Sequence, residues 1–445
     1  MDYDVIVIGS GLAGTLAAIN AARTKKVAVV RKGYGATALS SGAFDIAGRT
    51  GQRGRPFKGI STLTGAIGNI LYNEPLHPYS MLSTLLTGDR FNEFPSMVKT
   101  IGDQLFSELE TEGIRYEGSW ESYSIIPNQH GTFKLTSFCQ SSMLSGNLTK
   151  LMGRAIVFVG FERTDVHNKT RASFISAMLS KYGLASFRNI GCTNIDLRHY
   201  GIPCNEYDYI SLAGTMDDTE HAKKVLAIVK HSLDSMEYEH AFLPPIMGIT
   251  NHHEVLKMFT DSFGDTVSEF ISPPSSAPGL RLQYALDRLL ARHGVAIIEG
   301  DAAGEGTGDT IKTIRVSSRD GRKASTSADS FVLATGKFIS GGIVNKGTWH
   351  EAVFGLPVFI GVHQTKDPFP PGHLTGDPFD DQMLFSMGVR TDTSLRPVDE
   401  DGRVVYKNLY AAGSVLSGYN YIYDKTGLGT AMMTGAKAGI FSVAG

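Results

Sequence analysis

Three glycines near the start of the chain are spaced for binding a dinucleotide. The GxGxxG loop that they form contributes the candidate ligand-binding residues Gly9, Ser10, Gly11, Ala13 and Gly14. In such a loop the first glycine permits a tight turn, the second lets a diphosphate approach the backbone, and the third lets a helix pack closely on a strand. The loop therefore predicts an anion site at a helix N-terminus, where free N–H groups point at the phosphates.

The residues on either side of the loop predict the strand–helix–strand unit that gives this motif its meaning. Residues 5–8 and 27–30 are unbroken apolar runs, which are typical of parallel strands buried on both faces. Between them, apolar residues recur at helical spacing from 12 to 23. We therefore expect an α/β protein with a Rossmann-like FAD/NAD(P)-binding fold; the alternative is the same unit without a ligand.

The end of the second strand departs from the usual pattern. Arg31 and Lys32 stand where an acid that binds the ribose hydroxyls of an adenosine is expected. A cationic side chain suits a phosphate better than a pair of hydroxyls. Both residues are candidate cofactor ligands, but the unit leaves the identity of the nucleotide open.

Further segments are predicted to surround the same ligand. A small, polar loop follows the second strand, a buried strand ends at residues 334–336, and two glycine-rich stretches lie near the C-terminus. The last stretch opens a helix over 431–438, whose N–H groups would stabilise negative charge on a reduced flavin. The candidate cofactor residues here are Thr37, Ser40, Ser41, Gly42, Ala334, Thr335, Gly336, Gly413, Ser414, Gly429, Thr430 and Ala431.

Composition excludes several classes of protein. The chain has 445 residues, 42% of them hydrophobic, and a formal net charge of −2, which is not the electrostatic footprint of a nucleic-acid-binding protein. Its three cysteines form no CxxC pair, so we expect reduced thiols, a cytoplasmic location and no metal site. No apolar run reaches the roughly 18–20 residues of a membrane helix, and we expect no signal peptide.

The order of the predicted elements indicates two domains, one of them discontinuous. Residues 273–279 are rich in proline and serine and mark the expected return from an insertion. We expect the cofactor-binding domain to comprise residues 1–115 and 273–445. An inserted α+β domain over 116–272 is expected to carry substrate-binding groups and to cover the site.

With these pieces placed, the chain resembles the B subunits of anaerobic glycerol-3-phosphate dehydrogenases, which lie within the fumarate-reductase-like group of flavoproteins. The matching stretches are residues 8–14, 38–45, 131–136, 276–282, 333–342, 395–397 and 408–418. The two most distinctive are Ser-Ser-Gly-Ala-Phe-Asp, ending at Asp45, and Ala-Gly-Ser-Val-Leu-Ser-Gly, ending at Gly418. The resemblance covers most of the chain.

This resemblance implies a cofactor, an activity and partners. The cofactor is a flavin, FMN by the family description and FAD as the close alternative, since a GxGxxG loop is built for a diphosphate. The family works in a three-subunit complex that oxidises sn-glycerol 3-phosphate to dihydroxyacetone phosphate. An A subunit carries FAD and is described as the subunit that oxidises glycerol 3-phosphate, and a C subunit carries iron–sulfur clusters and passes electrons to quinone. The chain would then reach the inner face of the membrane only through a partner.

A phosphorylated substrate needs a cationic site and a base for its hydroxyl proton. The candidate cations are Lys134, Arg281 and Arg396, and the candidate bases are His373 and His350. Of these, Lys134, Arg396 and His373 are the predicted catalytic residues. Two alternatives remain open: a non-catalytic flavin subunit that bridges electrons or docks the A subunit, and a stand-alone fumarate-reductase-like flavoenzyme.

Overall fold

The computed structural model describes residues 2–48, 62–161, 168–183, 186–202, 209–274, 276–304, 306–365 and 382–444. The helices in these ranges are α1 (Leu12–Ala22), α2 (Leu63–Asn73), α3 (Pro78–Ser83), α4 (Arg90–Thr111), α5 (Ser141–Leu144), α6 (Asn168–Tyr182), α7 (Tyr209–Thr215), α8 (Thr219–Asp234), α9 (His252–Phe263), α10 (Ala277–Arg292), α11 (Tyr421–Asp424) and α12 (Gly427–Ala444). Among them, none combines the length and apolar character that crossing a bilayer requires.

The strands in the same ranges are β1 (Tyr3–Ile8), β2 (Val27–Arg31), β3 (Ala43–Phe44), β4 (Tyr116–Gly118), β5 (Ser124–Pro127), β6 (Phe133–Thr136), β7 (Phe138–Gln140), β8 (Ala155–Phe161), β9 (Asn189–Ile195), β10 (His240–Leu243), β11 (Val267–Glu269), β12 (Ala296–Glu299), β13 (Asp301–Gly304), β14 (Thr313–Ser317), β15 (Lys323–Leu333), β16 (Ile343–Asn345), β17 (Trp349–Glu351), β18 (Phe359–Ile360), β19 (His363–Gln364) and β20 (Leu409–Ala411).

The largest sheet joins the two ends of the chain. Its strand order is β12-β2-β1-β15-β14-β13, and β20 pairs with the far end of β15. Strands β12, β2, β1, the second half of β15 and β20 run parallel, with Val7 opposite both Val29 and Val332. Strands β13, β14 and the first half of β15 form an antiparallel extension. The prediction of a discontinuous Rossmann-like fold is therefore confirmed.

Small residues hold the first and last helices unusually close. α1 packs along α12, and the backbone of α1 lies directly against two glycines of α12. A Cβ atom added at Gly435 would lie 2.4 Å from the carbonyl oxygen of Ala13, and one at Gly439 would lie 2.4 Å from that of Ala17. This contact fixes α1, and with it the glycine loop, against the C-terminal segment.

We expect Gly439→Ala to destabilise the protein by about 1–3 kcal/mol, because the added methyl group forces the two helix backbones apart. Gly68→Ala is the matched control: Gly68 also lies within a helix, α2, but a Cβ atom there would meet no heavy atom within 4 Å. That control should gain about 0.5–1 kcal/mol. Denaturant unfolding midpoints measure both changes, and equal shifts for the two variants would contradict the close packing.

The inserted region contains a second sheet with its own topology. Its order is β11-β10-β8-β9, every pairing in it is parallel, and helices α6, α8 and α9 lie between successive strands along the chain. This sheet is of the α/β kind, whereas the sequence predicts an α+β insert. The sequence misses β10 and β11, which have only four and three residues, and without them the strand–helix alternation is hidden. The predicted boundaries at 115/116 and 272/273 stay predictions.

Candidate active site

One large cavity lies where the parallel strands of the main sheet end. Its volume is about 990 Å³, at the upper end of the range for small-molecule sites. The loops that follow β1, β2, β15 and β20 line it, together with the first turn of α12 and part of β6. Because the carboxyl ends of parallel strands meet at one edge of a sheet, these distant segments face a common ligand.

The loop between β1 and α1 has the geometry that its glycines predict. Gly9 has φ +110°, and a Cβ atom there would lie 2.3 Å from the carbonyl oxygen of Ala334. A Cβ atom at Gly14 would lie 1.8 Å from the carbonyl oxygen of Gly9. Gly11 is the N-cap of α1 and gives no side-chain cap, while the Leu12 N–H donates to the Thr37 hydroxyl at 3.1 Å. Gly11, Leu12 and Ala13 line the cavity, so the first turn of α1 faces an anion bound there.

Most of the predicted cofactor residues meet at this cavity. Those that line it are Gly9, Ser10, Gly11, Ala13, Arg31, Lys32, Thr37, Ser40, Ser41, Ala334, Thr335, Gly336, Gly413, Ser414 and Ala431. The other four, Gly14, Gly42, Gly429 and Thr430, are not among its lining residues. A Cβ atom at Gly429, for example, would lie 2.2 Å from the Tyr79 hydroxyl, so this glycine serves packing around the cavity.

Orphaned polar atoms show that the cavity fits a ligand with hydrogen-bonding groups. The Ser40 hydroxyl and the Thr335 hydroxyl both lie on the cavity, are buried and have no partner among the described residues. Each such group costs about 1–3 kcal/mol when unsatisfied, so a bound cofactor with many polar atoms would relieve a penalty that the fold carries.

At the end of β2, Arg31 and Lys32 both line the cavity and are paired with carboxylates. The Arg31 guanidinium donates to both carboxylate oxygens of Asp287 at 2.9 Å and to Glu299 at 2.7 Å. Lys32 pairs with Asp301 at 2.8 Å, and Asp301 also lines the cavity. Carboxylates therefore neutralise the two cations, and an acid is available at this end of the cavity although position 31 lacks one.

A charged cluster lies at another part of the cavity wall. Lys134, on β6, pairs with Asp45 at 2.6 Å, and both side chains line the cavity. The Gly429 N–H donates to the Asp45 carbonyl at 2.9 Å, which ties Asp45 to the first turn of α12. Lys425 lies beside this pair, and its pKa is lowered, mainly by burial. The charge of Asp45 opposes this shift, and the charge of Lys134 adds to it. The cluster presents two cations and one carboxylate.

The other predicted substrate-binding residues lie elsewhere. Arg396 holds Asp392 through its Nε and Nη2 atoms at 2.9 and 2.7 Å and does not line the cavity. Arg281 is fully buried and pairs with Glu269, so the idea that it binds a substrate phosphate is replaced by a structural role. His350 Nδ1 lies 3.1 Å from the Thr348 carbonyl oxygen, away from the cavity wall. His373 lies outside the described residues.

Sequence reasoning missed four charged residues at or beside the cavity, Asp45, Asp301, Lys337 and Lys425. Asp45 closes the distinctive Ser-Ser-Gly-Ala-Phe-Asp stretch, which is the signal that points to it. Lys337 directly follows the Ala-Thr-Gly strand end and lines the cavity. Lys425 lies in no motif, and only the fold brings it to Asp45 and Lys134.

Comparison with known proteins places the chain in a family. The FAD binding domain family matches residues 4–430. A relative from Halobacterium salinarum, named as a probable B subunit of anaerobic glycerol-3-phosphate dehydrogenase, is 29% identical, over 99% of this chain and 97% of the relative. The B subunit of the anaerobic glycerol-3-phosphate dehydrogenase of Vibrio vulnificus is 25% identical, over 98% and 95%, and that of Pectobacterium carotovorum is 26% identical, over 98% and 97%.

Two solved flavoprotein structures were also found. The 3-ketosteroid Δ1-dehydrogenase of Sterolibacterium denitrificans is 13% identical with a TM-score of 0.41, over 100% of both chains. E. coli quinol fumarate reductase is 10% identical with a TM-score of 0.42, over 100% of this chain and 71% of that one.

The family match bears on the cofactor and the class of protein. The prediction of a flavin is confirmed, and of the two forms the match supports FAD, in agreement with the diphosphate geometry of the Gly9 loop. The orphaned hydroxyls of Ser40 and Thr335 and the N-terminus of α1 are the groups that would hold it. The chain belongs to the FAD binding domain family of flavoprotein oxidoreductases, and the curated relatives that match it over nearly their full length are named as B subunits of anaerobic glycerol-3-phosphate dehydrogenase.

Proposed function

We propose that this chain is the flavoprotein subunit of an anaerobic glycerol-3-phosphate dehydrogenase that oxidises sn-glycerol 3-phosphate to dihydroxyacetone phosphate. The observation that carries the proposal is the Lys134–Asp45 pair on the wall of the FAD cavity, with Lys425 beside it. The names of the full-length relatives support the substrate. A small phosphorylated alcohol needs both an anion site and a proton acceptor, and this cluster supplies both.

The cations of the cluster would bind the substrate phosphate. Lys134 and Lys425 contribute two positive charges, and α12 begins beside them at Gly427. That helix has 18 residues and no acidic residue in its first turn, and the positive end of its dipole adds to the charge of the two lysines. Gly427 and Leu428 line the cavity, which places the helix N-terminus within reach of a ligand there.

The carboxylate of the cluster would take the hydroxyl proton. Bound FAD supplies the acceptor for a hydride and can release the two electrons singly. Oxidation of the carbinol to a carbonyl also releases the hydroxyl proton, and the Asp45 carboxylate would accept it. Lys134, at 2.6 Å, holds the Asp45 carboxylate in position for that transfer. His373 stays a predicted alternative for the base.

The naming of the relatives as subunits supports a place in a larger complex. In this proposal the partners are an FAD-containing A subunit and an iron–sulfur C subunit, and the electrons pass through the C subunit to quinone. The chain works in the cytoplasm and reaches the inner face of the membrane through that partner.

Flavin bleaching tests whether this subunit holds the substrate site. The purified chain with FAD bound is mixed with glycerol 3-phosphate without oxygen, and the flavin absorbance is followed. We expect bleaching with glycerol 3-phosphate and none with glycerol, which lacks the phosphate. If bleaching needs added A subunit, the chain is the electron-bridging subunit instead, and Asp45 and Lys134 lose their catalytic role.

A further inference from the structure

A buried lysine on the cavity wall has no counter-charge in the part of the chain that the structure describes. Lys337 follows Gly336 at the end of β15, lines the cavity and is only 4% exposed. Its Nζ donates to the Phe385 carbonyl oxygen at 2.7 Å and lies 5.3 Å from the centroid of the Tyr419 ring. Among the described residues, no carboxylate forms an ion pair with it.

Among the described residues, the titratable groups on the surrounding elements do not supply that charge. The segment that carries Tyr419 continues to Tyr421 and Asp424, and the His77 ring packs against Tyr419 at 5.4 Å. Glu351, in the β16–β17 hairpin, accepts hydrogen bonds from the backbone instead. The residues beside Phe385, 383–386, are Met, Leu, Phe and Ser. Burial alone lowers the pKa of Lys337 to about 7.

The cofactor brings the missing negative charge. Transfer of an uncompensated ammonium into a protein interior is costly, and the amine therefore tends to lose its proton. FAD carries an anionic diphosphate, and the segment that bears Lys337 packs on the diphosphate loop, since the Ala334 carbonyl oxygen lies 2.3 Å from a Cβ atom built on Gly9. An anion in this cavity favours the protonated amine.

We propose that Lys337 is the buried counter-charge of the bound cofactor and that its amine takes up a proton from solvent when FAD enters the cavity. The inference rests on the FAD site and not on the identity of the substrate. Lys337 is neutral in most apoprotein molecules above pH 7 and charged in the complex, so proton uptake is largest on the alkaline side of neutrality. Below about pH 6 the amine is already protonated, and uptake disappears.

Calorimetric titration measures this uptake directly. Apoprotein of the full chain is titrated with FAD at pH 8 and at pH 6, each in two buffers of different ionisation enthalpy. The variants are Lys337→Met and, as matched control, Lys346→Met, which changes an exposed lysine in the β16–β17 hairpin. We expect uptake at pH 8 in the wild type and the control, no uptake in K337M, and FAD affinity about tenfold or more weaker in K337M.

The stability of the apoprotein distinguishes this role from a structural one. A lysine whose pKa is lower in the folded than in the unfolded protein destabilises the fold at every pH below its pKa in the unfolded protein. Because pH 8 lies in that range, K337M apoprotein should unfold at a higher denaturant concentration than wild type at pH 8. A structural lysine would give the opposite shift. Lys337→Gln serves as a second neutral variant if K337M does not fold. Undiminished proton uptake in either neutral variant overturns the proposal.

Discussion

Replacing Arg281 by methionine lowers the free energy of unfolding by about 3–5 kcal/mol, because it leaves a buried carboxylate without its cation. Arg281 and Glu269 are both fully buried, and the two guanidinium N–H contacts to Glu269 measure 2.7 and 2.9 Å. Arg281 also donates to the Gly248 carbonyl oxygen at 2.6 Å and to Gln140 at 3.2 Å. The pair joins helix α10, which leads into strand β12 of the main sheet, to strand β11 of the inserted region.

Acid weakens the same contact. Burial raises the pKa of Glu269, but the charge and hydrogen bonds of Arg281 outweigh it and hold the pKa below the ordinary value of 4.5. A carboxyl whose folded pKa is depressed stabilises the fold above its unfolded pKa and loses that contribution as the pH falls. The contribution of the pair is therefore complete near neutrality and declines below about pH 4.5.

Denaturant unfolding of single and double variants checks the prediction. Arg322→Met is the matched control, since Arg322 pairs with Asp320 on the surface and such a pair contributes about 0–1 kcal/mol. Arg281→Met combined with Glu269→Met should recover much of the loss, because no unpaired charge remains. Equal costs for R281M and R322M would show that the buried pair does not hold the two regions together.

Arg281 also illustrates why sequence reasoning succeeded for the glycine loop and failed for a residue that lies away from the cavity. The Gly9 loop could be predicted because its meaning is local: a strand, three glycines and a helix follow one another in the chain. The role of Arg281 depends on burial and on partners such as Gln140, 141 positions away. When the sequence shows no acidic partner near an arginine, that arginine looks available to bind a phosphate. Only the fold shows that Arg281 is already paired with Glu269.

The same distinction explains the insert and the charged cluster. Strands β10 and β11 are too short to show a periodic pattern, so the parallel sheet that they complete could not be predicted. Lys134 could be proposed from its motif, but its partner Asp45 comes from a segment that is distant in the chain, and the pairing of β3 with β7 brings the two segments together. Arg396, predicted alongside it, has a carboxylate four residues earlier, Asp392, and that local pairing was visible in the sequence.

Replacing Lys134 by methionine is expected to slow flavin reduction by glycerol 3-phosphate by about 10- to 100-fold in kcat/KM. A charge-assisted contact contributes about 1.5–3 kcal/mol, and each 1.4 kcal/mol corresponds to about tenfold. Stopped-flow bleaching of the FAD-loaded chain measures the change. The flavin spectrum and FAD content should stay at wild-type values, because the Gly9 loop and α1 are untouched.

A second substitution separates binding from chemistry. Asp45→Asn keeps the size of the side chain and removes the proton acceptor, so we expect a loss of about 10²–10⁴-fold in the bleaching rate at saturating substrate. Lys134→Met should instead raise mainly the substrate concentration that gives half of the maximal bleaching rate. Lys425→Met should raise the same concentration. Because both effects require the phosphate group, added inorganic phosphate should bind more weakly to K134M, and its inhibition constant should be larger there than in wild type. If K134M and D45N bleach at the wild-type rate with FAD retained, the cluster does not bind substrate, and the electron-bridging role explains the cavity better.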